Sequence, residues 1–318
     1  VRTLAARGVE IEALVRTQSD RSAFDGLHVQ AVTGDILNPT TYRDAVERVD
    51  HVIHMASLLK MPWSPRFREV HVEGTSAVAR ACAETPEPPC LLLVSSLAAF
   101  GPSQLFELPN ESRLPKPVSQ YGHAKRDAEL SAMSYSDALP LTIIRPPAVF
   151  GPWDTTLLKL YRAVQRGVHL VPGNRSSRMS MVHVEDLACA IVEAGLKGER
   201  VGDSPEDHER GVYFVSGDEH PRYGDLGALV ASAMEVRSPT VIEIPRFAAR
   251  WAAAGFETVA RMRTRPTILS RDKILEAHSG HWICGSEKAA AQLGWQPRQG
   301  LEAHLRDTAS WYRAQGWL

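Results

Sequence analysis

Tyr121 and Lys125, in the run Tyr121-Gly-His-Ala-Lys125, stand four residues apart, a spacing that sets a phenol and an ammonium on one face of a helix. A phenol with its ordinary pKa of about 10 is a poor base at neutral pH. A cation beside it favours the phenolate and lets the tyrosine exchange a proton with a substrate hydroxyl. Taken alone, the spacing equally describes an exposed helix pair. A second feature sharpens it: Leu91-Leu-Leu-Val-Ser95 reads as an apolar strand, and Ser96 follows at its carboxyl end, where an open parallel sheet presents groups to a ligand. A hydroxyl there can hydrogen-bond the oxygen being protonated, whereas a serine pair elsewhere merely caps a strand or starts a turn. Ser96, Tyr121 and Lys125 together point to proton transfer at a carbinol or carbonyl.

Such a centre needs a rigid sheet whose strand ends converge. The first half of the chain alternates short apolar runs with helix-like stretches, the pattern of parallel βα units. Strands are expected over 11–15, 28–33, 51–55, 91–95 and 141–144, and helices over 40–48, 65–84 and 121–137. The expected fold class is α/β, a doubly wound parallel (Rossmann) sheet with a smaller, mixed C-terminal substrate lobe. Residues 1–150 are read as the dinucleotide-binding domain and 151–318 mainly as the substrate lobe, with about 181–216 returning to the first domain. A dinucleotide fold ordinarily opens with a strand and a glycine-rich turn at a helix N-terminus, which cradles the pyrophosphate. Here Val1–Arg7 reads instead as the remainder of a helix ending at Gly8, so the domain is expected to be N-terminally incomplete by roughly 15 to 20 residues, as a fragment or as a protein that lacks the usual phosphate cradle.

Four ordered motifs carry a family likeness: Ser95-Ser96-Leu-Ala-Ala-Phe-Gly101, Tyr121-xxx-Lys125, Arg145-Pro146-Pro-Ala-Val-Phe-Gly-Pro152 and Met181-Val-His-Val-Glu-Asp186-Leu-Ala. With Gly285-Ser-Glu-Lys-Ala and Leu-Gly-Trp-Gln-Pro297 near the end, the chain resembles the extended short-chain dehydrogenase/reductases of NAD-dependent epimerase/dehydratase type. The resemblance implies Tyr121 as general acid/base, Lys125 as ribose ligand and depressor of the phenol pKa, and Ser96 as the donor that polarises the substrate oxygen. It further implies cofactor contacts from Asp35-Ile36, from Met55-Ala56-Ser57 and from Pro146, alongside Tyr121 and Lys125. Cofactor choice depends on the turn after the second expected strand of a complete fold, where an acidic residue binds a ribose 2′-hydroxyl and an arginine accommodates a 2′-phosphate. Arg16 stands there without a neighbouring carboxylate, which favours NADP(H) with NAD as the alternative.

The family divides into nucleotide-sugar epimerases or dehydratases, which retain NAD, and reductases or dehydrogenases of ketones, flavonols and sterols. The stretch Ala13-Leu-Val-Arg-Thr-Gln-Ser-Asp20 and the C-terminal run resemble the dihydroflavonol reductase and 3β-hydroxysteroid dehydrogenase side, which implies a small, partly apolar substrate. Arg175 and Arg178 keep the epimerase alternative open as diphosphate ligands. A catalytically silent cofactor-binding or regulatory protein is a third reading, opposed by the intact Ser96, Tyr121 and Lys125. Residues 247–262 read as an amphipathic helix with Phe247, Trp251, Ala254 and Met262 on one face opposite Arg250, Glu257 and Arg261. That face suits an apolar substrate cover, a core or oligomer contact, or weak membrane attachment. His183 is read as packed or hydrogen-bonded at the lobe junction and Asp186 as an acidic group in a helix first turn.

A formal net charge of -1 and 23% charged residues give no support for nucleic-acid binding or disorder. The cysteines Cys82, Cys90, Cys189 and Cys284 lack zinc or redox spacing and are expected to be free thiols in a reducing compartment. No apolar run is long enough to cross a bilayer and no signal peptide opens the chain, so a cytoplasmic location without an integral span is expected. No metal site is indicated, and a homodimer is left open.

Overall fold

The computed structural model describes residues 1–58, 64–104, 107–202, 207, 209–262 and 270–318. In chain order the first half contains α1 (Arg2–Ala5), β1 (Glu12–Val15), β2 (Gln30–Thr33), α2 (Arg43–Val46), β3 (His51–His54) and α3 (Pro65–Arg68). A π-turn over Glu69–Glu73 joins α3 to α4 (Gly74–Ala83), followed by β4 (Cys90–Val94), α5 (Leu97–Phe100), α6 (Gln120–Met133) and β5 (Leu141–Arg145). The second half contains β6 (Ala148–Phe150), α7 (Leu157–Gln165), β7 (Val168–Val171), β8 (Met181–His183), α8 (Val184–Lys197), β9 (Val212–Phe214) and α9 (Leu226–Met234). It continues with β10 (Thr240–Glu243), α10 (Arg246–Met262), α11 (Arg271–Ala277), α12 (Glu287–Leu293) and α13 (Leu301–Ala314).

The fold is α/β with parallel strands, as the sequence pattern requires. Strands β3, β4, β5 and β9 form one parallel sheet in that order, while β1 and β2 form a separate parallel pair. Among the described residues no strand pairs with the second edge of β1 or of β3. β4 is apolar throughout and β5 apolar but for the buried Thr142 and Arg145, because helices cover both of their faces. Alternation then divides their side chains. Leu91, Leu93, Leu141 and Ile143 pack with Val78, Ala79 and Cys82 of α4 and Ala132 of α6. Leu92 and Ile144 point the other way, against Leu187, Ala190 and Ile191 of α8 and Leu293 of α12.

The second lobe has its own core. α7, α9 and α13 contribute Leu158, Tyr161, Val164, Val230, Leu305 and Tyr312, with Phe150 and Met181 from the adjoining strands. The buried phenols are satisfied within it: Tyr161 donates to the Leu305 carbonyl at 2.8 Å and Tyr312 to that of Asp154 at 2.6 Å. β10 pairs in parallel with β7, and β6 with β8. Among the described residues no helix is long and apolar enough to cross a membrane.

Candidate active site

Ser96 lies where β4 stops. Its backbone is extended (φ -164°, ψ 152°) and its hydroxyl oxygen accepts the Ala98 N–H at 3.1 Å, so Ser96 caps α5. The Leu97 N–H donates to the Pro146 carbonyl at 2.8 Å, tying this turn to the end of β5. α6 begins at a second cap, the Ser119 hydroxyl accepting the Gly122 N–H at 2.9 Å. Gly122 is demanded by proximity, because a Cβ there would collide with the Ala98 carbonyl oxygen. The glycine between Tyr121 and Lys125 thus lets α6 press against the Ser96 turn. One turn further along, Lys125 is buried and its Nζ donates to the Val94 carbonyl at 2.9 Å. Ser96, Tyr121 and Lys125 therefore meet at the carboxyl end of β4.

The electrostatics follow from burial. Desolvation pushes the Tyr121 phenol up to about 12; the Ser96 hydroxyl pulls it back, the Glu276 carboxylate adds to the rise and the Ser57 hydroxyl opposes it. Burial lowers the Lys125 ammonium to about 8, partly offset by Glu129. His71 packs edge-on against Tyr121, ring centroids 5.8 Å apart, and its Nε2 lies 3.0 Å from the Leu58 carbonyl. Burial first, then the Lys125 charge, lowers His71 to about 4, so it is neutral at pH 7. His54, bonded to Thr75 at 3.0 Å, is lowered to about 3 by burial, with the Lys125 and His71 charges adding to it. Lys125 is the cation of this cluster.

The sign of the Lys125 shift makes a prediction. Between about pH 8 and its ordinary 10.5 the unfolded chain binds more protons than the fold, so this group's contribution to stability rises with pH across that window. Below about pH 8 its full burial cost is present. Lys125→Met is therefore expected to stabilise the protein at pH 7 by roughly 1–3 kcal/mol, less at pH 10.5, while depressing turnover. Urea midpoints at the two pH values check this; a lower midpoint at pH 7 contradicts it.

The expected cofactor contacts lie beyond the carboxyl ends of β1, β2, β3 and β5. Arg16 follows β1, is exposed, and forms no side-chain ion pair or hydrogen bond among the described residues. Asp35 follows β2 and is engaged as a turn residue: its carboxylate accepts the Leu37 N–H at 3.0 Å and lies 3.8 Å from Arg66. Ile36 packs toward Gly74 of α4. Met55, 59% exposed, and Ala56 leave the end of β3 open, whereas the Ser57 Oγ is sealed from solvent. Pro146 is buried behind the Ser96 turn. Met55, Ala56, Ser57 and Pro146 follow strands of the sheet that carries Ser96, Arg16, Asp35 and Ile36 follow the separate β1–β2 pair, and Asp35 has only partial freedom to meet a ligand.

The second lobe contributes groups that no local pattern announces. The Asp272 carboxylate on α11 accepts the Gln120 N–H at 2.7 Å and the Tyr121 N–H at 3.3 Å, placing negative charge on the first turn of α6. Lys273 Nζ sits 5.3 Å from the Tyr121 ring centroid and pairs with Glu276 at 2.6 Å. These residues lie about 150 positions from Tyr121 in sequence, so only the fold shows their role. Sequence spacing also misleads about α10. Its alanines Ala249 and Ala253 are buried, while Phe247 and Trp251 face outward and Glu257 is buried, its carboxylate accepting the Arg271 N–H at 3.2 Å. The aromatic side is not an inner cover because the alanine side packs on Ile274 of α11. The side chains of Arg261 and Met262 lie outside the described residues.

His183 stacks on His304 with ring centroids 4.2 Å apart, and Asp186, in the first turn of α8, accepts a hydrogen bond from His304 at 2.7 Å. His183 is packed rather than hydrogen-bonded. The four cysteines are free thiols, and no cluster able to hold a metal exists among the described residues.

A parallel α/β sheet with Ser, Tyr and Lys at one strand end matches what the sequence motifs require, and residues 1–206 match the model of the NAD dependent epimerase/dehydratase family. The chain belongs to that family, an extended short-chain dehydrogenase/reductase and hence an NAD(P)-dependent oxidoreductase. Among relatives, a ceramide reductase of Caulobacter vibrioides is 29% identical over 100% of this chain and 91% of its own length. Sterol demethylase protein B of Methylococcus capsulatus is 26% identical over 100% of this chain and 95% of its own. Among solved structures, MoeE5 in complex with UDP-glucuronic acid and NAD superposes with a TM-score of 0.74 at 19% identity, covering 99% of this chain and 94% of that one.

Proposed function

We propose that the protein transfers hydride at a carbinol or ketone carbon of a partly apolar small molecule, with Tyr121 as general acid/base. The carrying observation is the convergence of the Ser96 turn, Tyr121 and the buried Lys125 at the end of β4. The nicotinamide supplies or accepts the hydride when bound. Lys125 holds a ribose hydroxyl and its positive charge lowers the cost of the phenolate. Ser96 orients the reacting oxygen, and Tyr121 gives it a proton in reduction or takes one in oxidation. Met55, Ala56, Ser57, Asp35, Ile36 and Pro146 line the cofactor side, and the exposed Arg16 favours NADP(H) over NAD(H). Residues 1–150 carry the cofactor and 151–318 mainly the substrate, with 181–216 serving the first domain through the pairing of β9 with β5.

The apolar substrate reading draws on relatives named for ceramide and sterol chemistry. The sugar-nucleotide reading loses a ligand, since the Arg178 guanidinium already donates to the His220 carbonyl at 2.9 Å. The test is absorbance of reduced nicotinamide with long-chain ketones and with nucleotide sugars. NADPH consumption with ketones at a kcat/KM at least tenfold above that with NADH is expected. Conversion of a nucleotide sugar without added reductant replaces the proposal with an epimerase, and cofactor binding without any conversion replaces it with a silent protein.

A further inference from the structure

Helix α10 is inside out for a water-facing helix. Its small residues Ala249 and Ala253 form the contact with Ile274 of α11 and Ile244, and its large apolar residues point away: Phe247 is 69% exposed, Trp251 78% and Phe256 58%. Phe247 and Trp251 are one turn apart and share a face, and the exposed Arg246 and Arg250, each one residue earlier, project about 100° around the helix and flank that face. Among the described side chains of α10 the only carboxylate, Glu257, is buried and engaged by the Arg271 N–H. The exposed surface of the helix thus carries aromatic rings flanked by arginines, with no exposed acid among its described side chains.

That chemistry selects one occupant. A second copy docking through the same face would gather Arg246 and Arg250 of both copies in one interface, with no exposed carboxylate among the described side chains of α10 to pair them. An anionic phospholipid surface supplies what the face lacks: phosphates for the guanidiniums and an acyl boundary for the aromatic rings. We propose that α10 is a peripheral membrane-docking helix that lies in the plane of an anionic bilayer surface. The location has a use, which rests on the apolar substrate reading. α10 packs on α11, and α11 carries Asp272 on the Tyr121 N–H and Lys273 over the Tyr121 ring. Docking through α10 sets the catalytic tyrosine two helices from the lipid that holds such a substrate.

The test is sedimentation of the full protein with vesicles of phosphatidylcholine alone and with added phosphatidylglycerol. Binding is expected only with phosphatidylglycerol, weaker at high salt. It should weaken about fivefold for each of Arg246→Ala and Arg250→Ala, and at least tenfold for the pair Phe247→Ser and Trp251→Ser. These side chains are exposed, so thermal midpoints and turnover of a short, water-soluble ketone are expected to stay unchanged. Absence of vesicle binding, or a concentration-dependent dimer abolished by the Phe247 and Trp251 changes, overturns the proposal. If the parent protein binds vesicles but reduces no ketone, docking stands and the substrate reading fails.

Discussion

Tyr121→Phe lowers kcat by about 10²–10⁴-fold and leaves NADPH affinity within about twofold of the parent. The substitution removes one oxygen and keeps the ring, which packs against His71 and lies 5.3 Å from Lys273 Nζ. Its structural cost is therefore small, and the loss reads the proton-transfer role. Neither His71 nor Ser96 can take over at neutral pH. His71 is lowered to about 4 and held at the Leu58 carbonyl, and the Ser96 hydroxyl is far too weak an acid. In the absence of ligands Tyr121 is pushed to about 12 by burial, so at pH 7 the phenol is protonated and ready to donate in the direction of reduction. Oxidation needs the phenolate, and that direction is expected to quicken with rising pH as long as Lys125 keeps its charge. With Lys125 at about 8, the gain should flatten above that pH. Stopped-flow rates for Tyr121→Phe and pH profiles in both directions check this; a mutant of near-parent activity removes Tyr121 from the mechanism.

The parts of this centre that were legible in sequence are those whose positions are set locally. β4 announces itself as an unbroken apolar run and β5 as one interrupted only by Thr142 before Arg145, because both faces are covered, and their observed limits differ from the expected ones by a residue. Tyr121 and Lys125 share a helix, so their spacing alone fixes which way they point. The groups contributed by α11 were hidden for the opposite reason: Asp272 reaches Tyr121 only through packing of two lobes, and an aspartate at a helix start looks like any first-turn acid. α10 misled because amphipathic spacing identifies two faces without saying which one goes inward. Alanines that look like filler form the contact, since only small residues allow α10 to approach Ile274. The π-turn over Glu69–Glu73 was likewise invisible in a stretch that reads as one helix over 65–84, although it carries His71, the ring beside Tyr121.

Glu129→Ala is expected to cost about 3–5 kcal/mol, the largest stability loss at any single position near the site. The Glu129 carboxylate is fully buried and takes hydrogen bonds from Ser95 Oγ at 2.5 Å, Arg126 Nη1 at 2.9 Å, and Arg145 Nε and Nη2 at 2.8 and 2.7 Å. Burial opposes its charge, but the Arg145 charge and hydrogen bonds, then Arg126 and Ser95, outweigh burial and hold Glu129 below its ordinary 4.5. Removing it strands the Arg145 guanidinium, 1% exposed, without a counter-charge. Against a total stability of roughly 5–15 kcal/mol for a domain, that loss leaves the variant largely unfolded well below the parent's urea midpoint. Because the folded value is depressed, the carboxylate's contribution is present above 4.5 and is lost as pH falls through the folded value. Glu129→Gln should therefore reduce the acid sensitivity that the parent shows below 4.5, at an intermediate cost near neutral pH. The double change Glu129→Met with Arg145→Met removes the buried guanidinium together with its partner, and stability is expected to recover part of the Glu129→Ala loss, with Lys125 and Arg126 still lacking the carboxylate. Activity is not expected to recover with it. Ser95 would lose the acceptor that anchors the end of β4, so Ser96 would be held less firmly against Tyr121, and kcat should fall about tenfold with KM little changed. Recovery of both together would show that the buried pair supports the fold without positioning Ser96.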